Sequence, residues 1–230
     1  MIENAARKDK LFSIDPLKTD TGCNMTKKID FFFDLSSPWT RLAFHNVQPI
    51  IAANEAEIVW RPFLVGGVFN AVNQTVYAAR ENPDNIKFVH SFRVLKDWAK
   101  LAGVPMNFPS EHHPVKSVHA MRLCCALEED QAALHKFATA AFDAYYGDQR
   151  NLDDPAVLIA IANEVGLDGQ TLAAKTQEQE IKDRLRANTE EAIARGSYGS
   201  PSIFVPFGEG ERMYFGNDQL PLVNWAIKQL

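Results

Sequence analysis

The sequence predicts an α/β protein built on one mixed four-stranded sheet, with an all-helical segment inserted between its two halves. Three observations predict it. An aromatic, β-branched run, Ile29 to Phe33, broken only by Asp30, passes directly into a helix start at Pro38, and a short, predominantly apolar run of this kind reads as a buried strand. From Asn85 onward, about a hundred residues keep helical spacing. Strand character returns only at Ser202 to Val205 and Met213 to Phe215, around the glycine-rich turn Gly208 to Gly210.

The elements follow in chain order. Residues 1–27 mix charge with Asp-Pro and Thr-Gly without a sustained period. They are expected to form a flexible extension, and removal of residues 1–24 is expected to leave the core intact. The extension has no continuous apolar signal core, and Glu3, Asp9 and Asp15 oppose a transit peptide.

After the first strand, Ser36 and Ser37 can cap a helix that opens on Pro38, where a proline loses no needed N–H. Such a start leaves orphan N–H groups and a positive dipole end beside a small hydroxyl, which suits an anion or a thiolate. A plain structural cap is the alternative reading of Ser37.

Ala56 to Leu64 supplies the second strand, placed near a sheet edge by Pro62. Gly66-Gly67 and the polar run Asn70 to Pro83 are expected to form a long connection. No Lys-Ser/Thr follows the glycines, so this is not a phosphate loop.

The helical segment shows Phe88, Phe92, Leu95 and Leu101, then Val118, Met121, Leu123 and Leu127, then Leu134, Phe137, Ala141 and Tyr145. Pro155 opens a further helix that Gly166 ends, and Leu172 to Ala194 supplies one or two more. Leu220 to Leu230 closes the chain as a helix.

A βαβ half and a ββα half complete one four-stranded sheet, which is a thioredoxin-like fold split by an all-helical insertion. The expected organisation is 1–27 extension, 28–84 first half, 85–195 helical insertion and 196–230 second half. In this fold Pro201, in Gly199-Ser200-Pro201-Ser202, is expected to be cis. A cis proline exposes the preceding backbone to an extended peptide ligand. Ordinary turn chemistry is the alternative.

Composition narrows the function. With 230 residues, 46% hydrophobic and 23% charged, the chain can bury a substantial core. The 24 basic and 29 acidic residues leave a net charge of −5 without a long basic run, which argues against nucleic acid as the partner. No apolar run approaches the ~20 residues needed to span a bilayer. Cys23, Cys124 and Cys125 form no disulfide framework and suit a reducing, cytoplasmic setting. Cys124 and Cys125 fall on an apolar helix and read as buried free thiols. His112, His113 and His119 lack a standard metal spacing, so no metal site is expected.

The blocks FFFDLSSPWTRLAF, WRPFLVGGVFNAVNQ, PVKSVHAMR, YGSPSIFV and MYFGNDQL, in that order, resemble the 2-hydroxychromene-2-carboxylate isomerases and kappa-class glutathione transferases. The resemblance spans nearly everything from Lys28 onward. That family is similar to disulfide oxidoreductases that carry Cys-x-x-Cys at the first helix. Residues 37–40 here contain no cysteine, which excludes a dithiol cycle at that site.

The resemblance implies that Ser37 donates to the sulfur of bound glutathione, and that the backbone of Ser200, ahead of Pro201, pairs with its cysteinyl part. It implies that Asn217 and Asp218 hold the γ-glutamyl end, although Asp218 also suits a first-turn helix charge. Asn73 would face the acceptor.

Where many relatives carry tyrosine and aspartate, this chain has His90 and Val94, and Lys116 stands where asparagine is frequent. With Lys87 and Arg93 these residues would make the acceptor side basic, suited to a carboxylated aromatic substrate. A solvated helix face explains the same charges. The expected function is a glutathione-dependent isomerase of aromatic 2-oxo or chromene carboxylates, working as a homodimer. A transferase that keeps the thioether, and a catalytically silent glutathione-binding protein, are the alternatives.

Overall fold

The computed structural model describes residues 27–77 and 85–230. Cys23 and most of the N-terminal extension lie outside the described residues, as do residues 78–84, which include the end of the expected long connection.

Strand β1 (Lys28–Phe33) runs parallel to β2 (Glu57–Pro62) and antiparallel to β3 (Ser202–Phe207), which pairs antiparallel with β4 (Gly210–Phe215). The order β2-β1-β3-β4 makes β1 an inner strand. Its alternating residues serve two cores: Ile29, Phe31 and Phe33 enter the large one, and Phe32 enters a smaller one with Phe63, Val68, Ala192 and Phe204. A strand covered on both faces needs apolar residues wherever it is covered, and this explains Phe31 to Phe33, while the partly exposed Asp30 pairs with Arg195 at 2.9 Å. Phe31, Phe32 and Phe33 are fully buried, each contributing roughly 1.5–3 kcal/mol. Phe31 packs on Trp60 at 5.0 Å between ring centroids, and Phe32 on Phe204 at 5.5 Å.

Pro62 ends an edge strand, where a missing donor costs no ladder bond. Pro206 falls beyond the β3 residues paired with β1, which are Ser202 to Phe204. The hairpin is tighter than expected, because pairing continues to Phe207 and Gly210 and leaves a two-residue loop in which Gly208 has φ 60°. The Arg212 guanidinium, 3.6 Å from the Phe207 ring centroid, favours that extension.

Helix α1 (Pro38–Asn46) is followed at once by α2 (Gln48–Asn54), which has a proline in its first turn. Helix α3 (Val65–Val72) corrects the expectation of a connection there. Two glycines argue against a helix locally, but this one is capped from elsewhere: Asp34 Oδ2 accepts from Val65 N at 2.9 Å, and Thr189 Oγ1 from Leu64 N at 3.0 Å. A Cβ on Gly67 would sit 3.0 Å from Thr189 Cγ2, so the absent side chain permits the close approach.

The inserted segment contains α4 (Ile86–Ala102), α5 (Val118–Ala126), α6 (Gln131–Phe142), a π-helical turn (Asp143–Gly147), α7 (Pro155–Glu164), α8 (Gly169–Lys175) and α9 (Gln179–Ala194). Side chains of Asn85, Asp130, Asp154 and Asp168 cap α4, α6, α7 and α8. Gly103 (φ 66°) ends α4 in a left-handed residue. The segment shares one apolar cluster with the sheet, running from Phe31 and Phe44 to Phe137, Phe142 and Tyr145.

The closing helix α10 (Leu220–Ile227) stops three residues before the end of the chain. The Ser200–Pro201 bond is cis, as are Phe108–Pro109 and His113–Pro114 in the connection between α4 and α5. No helix among the described residues is long and apolar enough to cross a membrane.

Candidate active site

Because β1 and β3 are antiparallel, the C-terminal end of one lies beside the N-terminal end of the other. The turn Asp34 to Ser37 therefore faces the loop Tyr198 to Pro201. Ser37 is the N-cap of α1, with extended backbone (φ −94°, ψ 117°). Its Oγ accepts from Thr40 N at 3.2 Å and donates to the Ser200 carbonyl at 2.9 Å. Ser200, 6% exposed, uses its own Oγ to accept from Asp34 N at 3.0 Å and to bond Thr40 Oγ1 at 2.7 Å. Behind it, Gly199 leaves no room for a side chain, since a Cβ there would meet Phe215 Cε2 at 2.8 Å.

Asp34 follows directly on β1. It is fully buried and organises the turn: Oδ1 accepts from Ser36 N at 2.9 Å and Ser36 Oγ at 2.8 Å, while Oδ2 caps α3. Burial pushes its carboxyl above the usual carboxylate range, against the hydrogen bonds from Ser36, Val65 and Ser117. The Asp-x-Ser spacing of an Asx-turn was the available signal.

These groups open onto a cleft of about 400 Å³. Ser36, Ser37, Ser200 and Asn73 line one side, and Phe88, Ser91, Phe92 and Leu95 of α4 line the other. Phe108 and His113, not expected to take part, also line it, with their rings edge-to-face at 4.6 Å. Asn73 Nδ2 donates to the Tyr198 carbonyl at 3.0 Å, tying the end of α3 to the cis-proline loop.

The remaining expected site residues are placed differently. Pro201 is buried behind Ser200, its carbonyl accepting from Gly216 N at 3.3 Å. Asp218 is exposed and does not line the cleft. Burial raises the pKa of the Tyr198 phenol, and the Asp218 carboxylate raises it further.

The Asn217 side chain, 2% exposed, turns away from the cleft. Its Oδ1 accepts from Asn46 Nδ2 at 2.8 Å, beside a separate groove with Trp98 and Leu220. Lys87 and His90 are exposed on α4, and neither lines the cleft. Arg93 is exposed too, and Lys116 lines an adjoining cavity of about 210 Å³. The basic acceptor wall expected from these four residues is therefore not found in the cleft lining. Among the described residues, no Lys, Arg, Asp or Glu lines it.

Cys124 and Cys125 are fully buried, and burial pushes both thiols far up, away from reactivity.

A mixed sheet whose cis-proline loop faces a helix N-terminus defines a thioredoxin-fold protein, here with Ser37 at that helix N-terminus. The DSBA-like thioredoxin domain matches residues 28–228, and the chain belongs to that family. A 2-hydroxychromene-2-carboxylate isomerase of Sphingobium xenophagum is 28% identical over 200 residues, covering 85% of this chain and 95% of that protein. A glutathione S-transferase kappa 2 of Caenorhabditis elegans is 24% identical over 205 residues, covering 86% and 90%. The solved structure of a selenomethionine 2-hydroxychromene-2-carboxylate isomerase superposes with a TM-score of 0.70 at 21% identity, over 88% of this chain and 95% of that one.

Proposed function

We propose that the protein is a glutathione-dependent enzyme acting on a conjugated aromatic acceptor as an isomerase. The observation that carries this reading is the Ser37 hydroxyl, set at the N-terminus of α1 and 2.9 Å from the Ser200 carbonyl. The donor set fits a cysteinyl peptide. Ser200 offers a backbone acceptor to its N–H, and Ser37 with the start of α1 offers a donor and a positive dipole end to its sulfur. The names of the similar proteins, an isomerase and a glutathione transferase, support the same reading.

Glutathione, when bound, supplies a thiolate that adds reversibly to a conjugated carbon, allowing rotation about the bond it saturates before it leaves unchanged. The chain's own residues do the rest. Ser37 exchanges its bond to Ser200 for one to sulfur, and the Ser200 carbonyl, freed in that exchange, takes the ligand's N–H. Thr40 N and Thr40 Oγ1 hold the two serines in place. Phe88, Phe92 and Phe108 exclude water from the opposite side.

Ultraviolet titration of thiolate absorbance on adding glutathione is the test. Thiolate formed near neutral pH by the protein, and lost in Ser37→Ala, is the expected result; an unshifted thiol would leave only a binding protein. Product analysis separates the isomerase from a transferase: free glutathione is recovered quantitatively in the first case, and a stable thioether accumulates in the second.

A further inference from the structure

Asp34 is fully buried, yet the proposed chemistry gives its carboxyl no task. Four donors converge on it: Ser36 N at 2.9 Å and Ser36 Oγ at 2.8 Å on Oδ1, Val65 N at 2.9 Å on Oδ2, and the Ser117 hydroxyl. A carboxyl that only accepts hydrogen bonds is the ionised form. Burial works the other way and raises its pKa, so a negative charge is held where charge is costly.

The four partners are not equivalent. Backbone N–H groups can only donate, whereas a hydroxyl can turn and accept. Ser36 supplies the hydroxyl that bonds Asp34 and also lines the cleft, one position before Ser37. Turned about, it would accept from a protonated Asp34 and donate into the cleft. A thiolate formed there is a second anion beside the first, and like charges in a poorly solvated site favour the state in which one of them carries a proton.

From this arrangement we infer that Asp34 takes the thiol proton of bound glutathione through the Ser36 hydroxyl. The S–H bond breaks as its proton passes to Ser36 Oγ, while the proton already on Ser36 passes to Asp34 Oδ1. The products are a thiolate, a neutral Ser36 hydroxyl donating toward the sulfur, and a neutral Asp34 carboxyl; the negative charge moves from oxygen to sulfur and no proton reaches solvent. The transfer rests on the glutathione reading for the thiol itself. Ser37 remains the direct donor to sulfur, and Asp34 acts through Ser36. Cys124 of α5 and Tyr146 of the π-helical turn sense the Asp34 charge, and burial keeps both neutral.

The test counts protons. Glutathione is added to the whole protein in weakly buffered solution at neutral pH, with thiolate read by ultraviolet absorbance and released protons by an indicator dye. S-methylglutathione, which has no thiol proton, gives the release owed to the rest of the ligand. The expected result is thiolate with much less than one equivalent of proton beyond that control, and a thiolate fraction that is flat across neutral pH. Asp34→Asn and Ser36→Ala are each expected to restore a full equivalent per thiolate and to make the thiolate fraction rise with pH. Ser36→Ala carries the comparison if Asp34→Asn does not fold, because Ser36 is half-buried and the substitution keeps its N–H bond to Asp34. A full equivalent released by the unsubstituted protein would overturn the transfer, as would Ser36→Ala with unaltered release. Thiolate with full release removes the transfer alone, whereas no thiolate at all removes the glutathione reading and the transfer with it.

Discussion

The Ser37 hydroxyl donates to the Ser200 carbonyl across 2.9 Å, although 163 positions separate the two residues. The proton proposed for a ligand sulfur is therefore already engaged in the free protein, and so is the carbonyl proposed for a ligand N–H. Each becomes available only when the other is released.

Ser37→Ala removes the hydroxyl of that pair and leaves the carbonyl. Loss of the N-cap should cost about 1 kcal/mol of stability. The thiol of bound glutathione should titrate roughly one unit or more higher, because a hydrogen bond to a charged acceptor is worth ~1.5–3 kcal/mol. Turnover near neutral pH should fall further than affinity does, since the Ser200 carbonyl is left free. Thiolate absorbance against pH and steady-state kinetics measure the two effects, and an unchanged titration would reduce Ser37 to a cap.

Ser200→Ala acts on the fold more than on the thiol. It leaves the buried Asp34 N–H and Thr40 hydroxyl without their shared partner, at a cost of roughly 1–3 kcal/mol for each group left unsatisfied. The denaturant midpoint should drop while the backbone carbonyl at 200 is retained. A midpoint equal to that of the unsubstituted protein would mean that another group replaces the bond.

Gly199→Ala drives a methyl into the Phe215 ring, which packs on Tyr198 at 4.5 Å. Overpacking of this kind costs about 1–3 kcal/mol. The displaced ring borders the cleft, so ligand affinity should fall together with thermal stability. A stable variant with weakened binding would show that Phe215 moves freely.

His135 gives the protein an acid-sensitive limb. Its ring stacks on Phe44 at 5.1 Å and 11°, lies 5.3 Å from Trp60, and bonds Gln48 Nε2 at 3.1 Å. Burial lowers its pKa from the ordinary 6.5. The unfolded chain then takes up a proton at a pH where the folded chain resists it. The stability associated with the neutral ring is intact above about pH 6.5 and is lost as pH falls toward the folded pKa. His135→Gln should flatten that limb in melting temperatures recorded across mildly acidic pH, and an unaltered slope would assign it to another group.

How much of this was legible in the residues depends on where each element gets its support. The triple phenylalanine, the Ser-Pro helix start and the proline before β3 carry their own local physics, so strand, cap and cis bond could all be read directly. Helix α3 could not, because its N-terminal hydrogen bonds come from Asp34 and Thr189 and its glycines are explained by a neighbour. The outward placement of Lys87 and His90 could have been read: Phe88, Phe92 and Leu95 share one helical face, and the intervening positions fall off it. Asn217 was matched by position, but the structure gives its side chain to Asn46.

The register that pairs Phe32 with Ser202 fixes how far Ser37 lies from Ser200, and no residue of the inserted helices enters that pairing. The face proposed to meet an acceptor comes from α4 and the connection after it, inside the insertion. The two ends of the proposed reaction are thus held by separate parts of the chain. Lengthening, trimming or exchanging helices between β2 and β3 can retune which molecule is accepted while the thiol-handling end keeps its geometry, so one sheet can serve a succession of different acceptors.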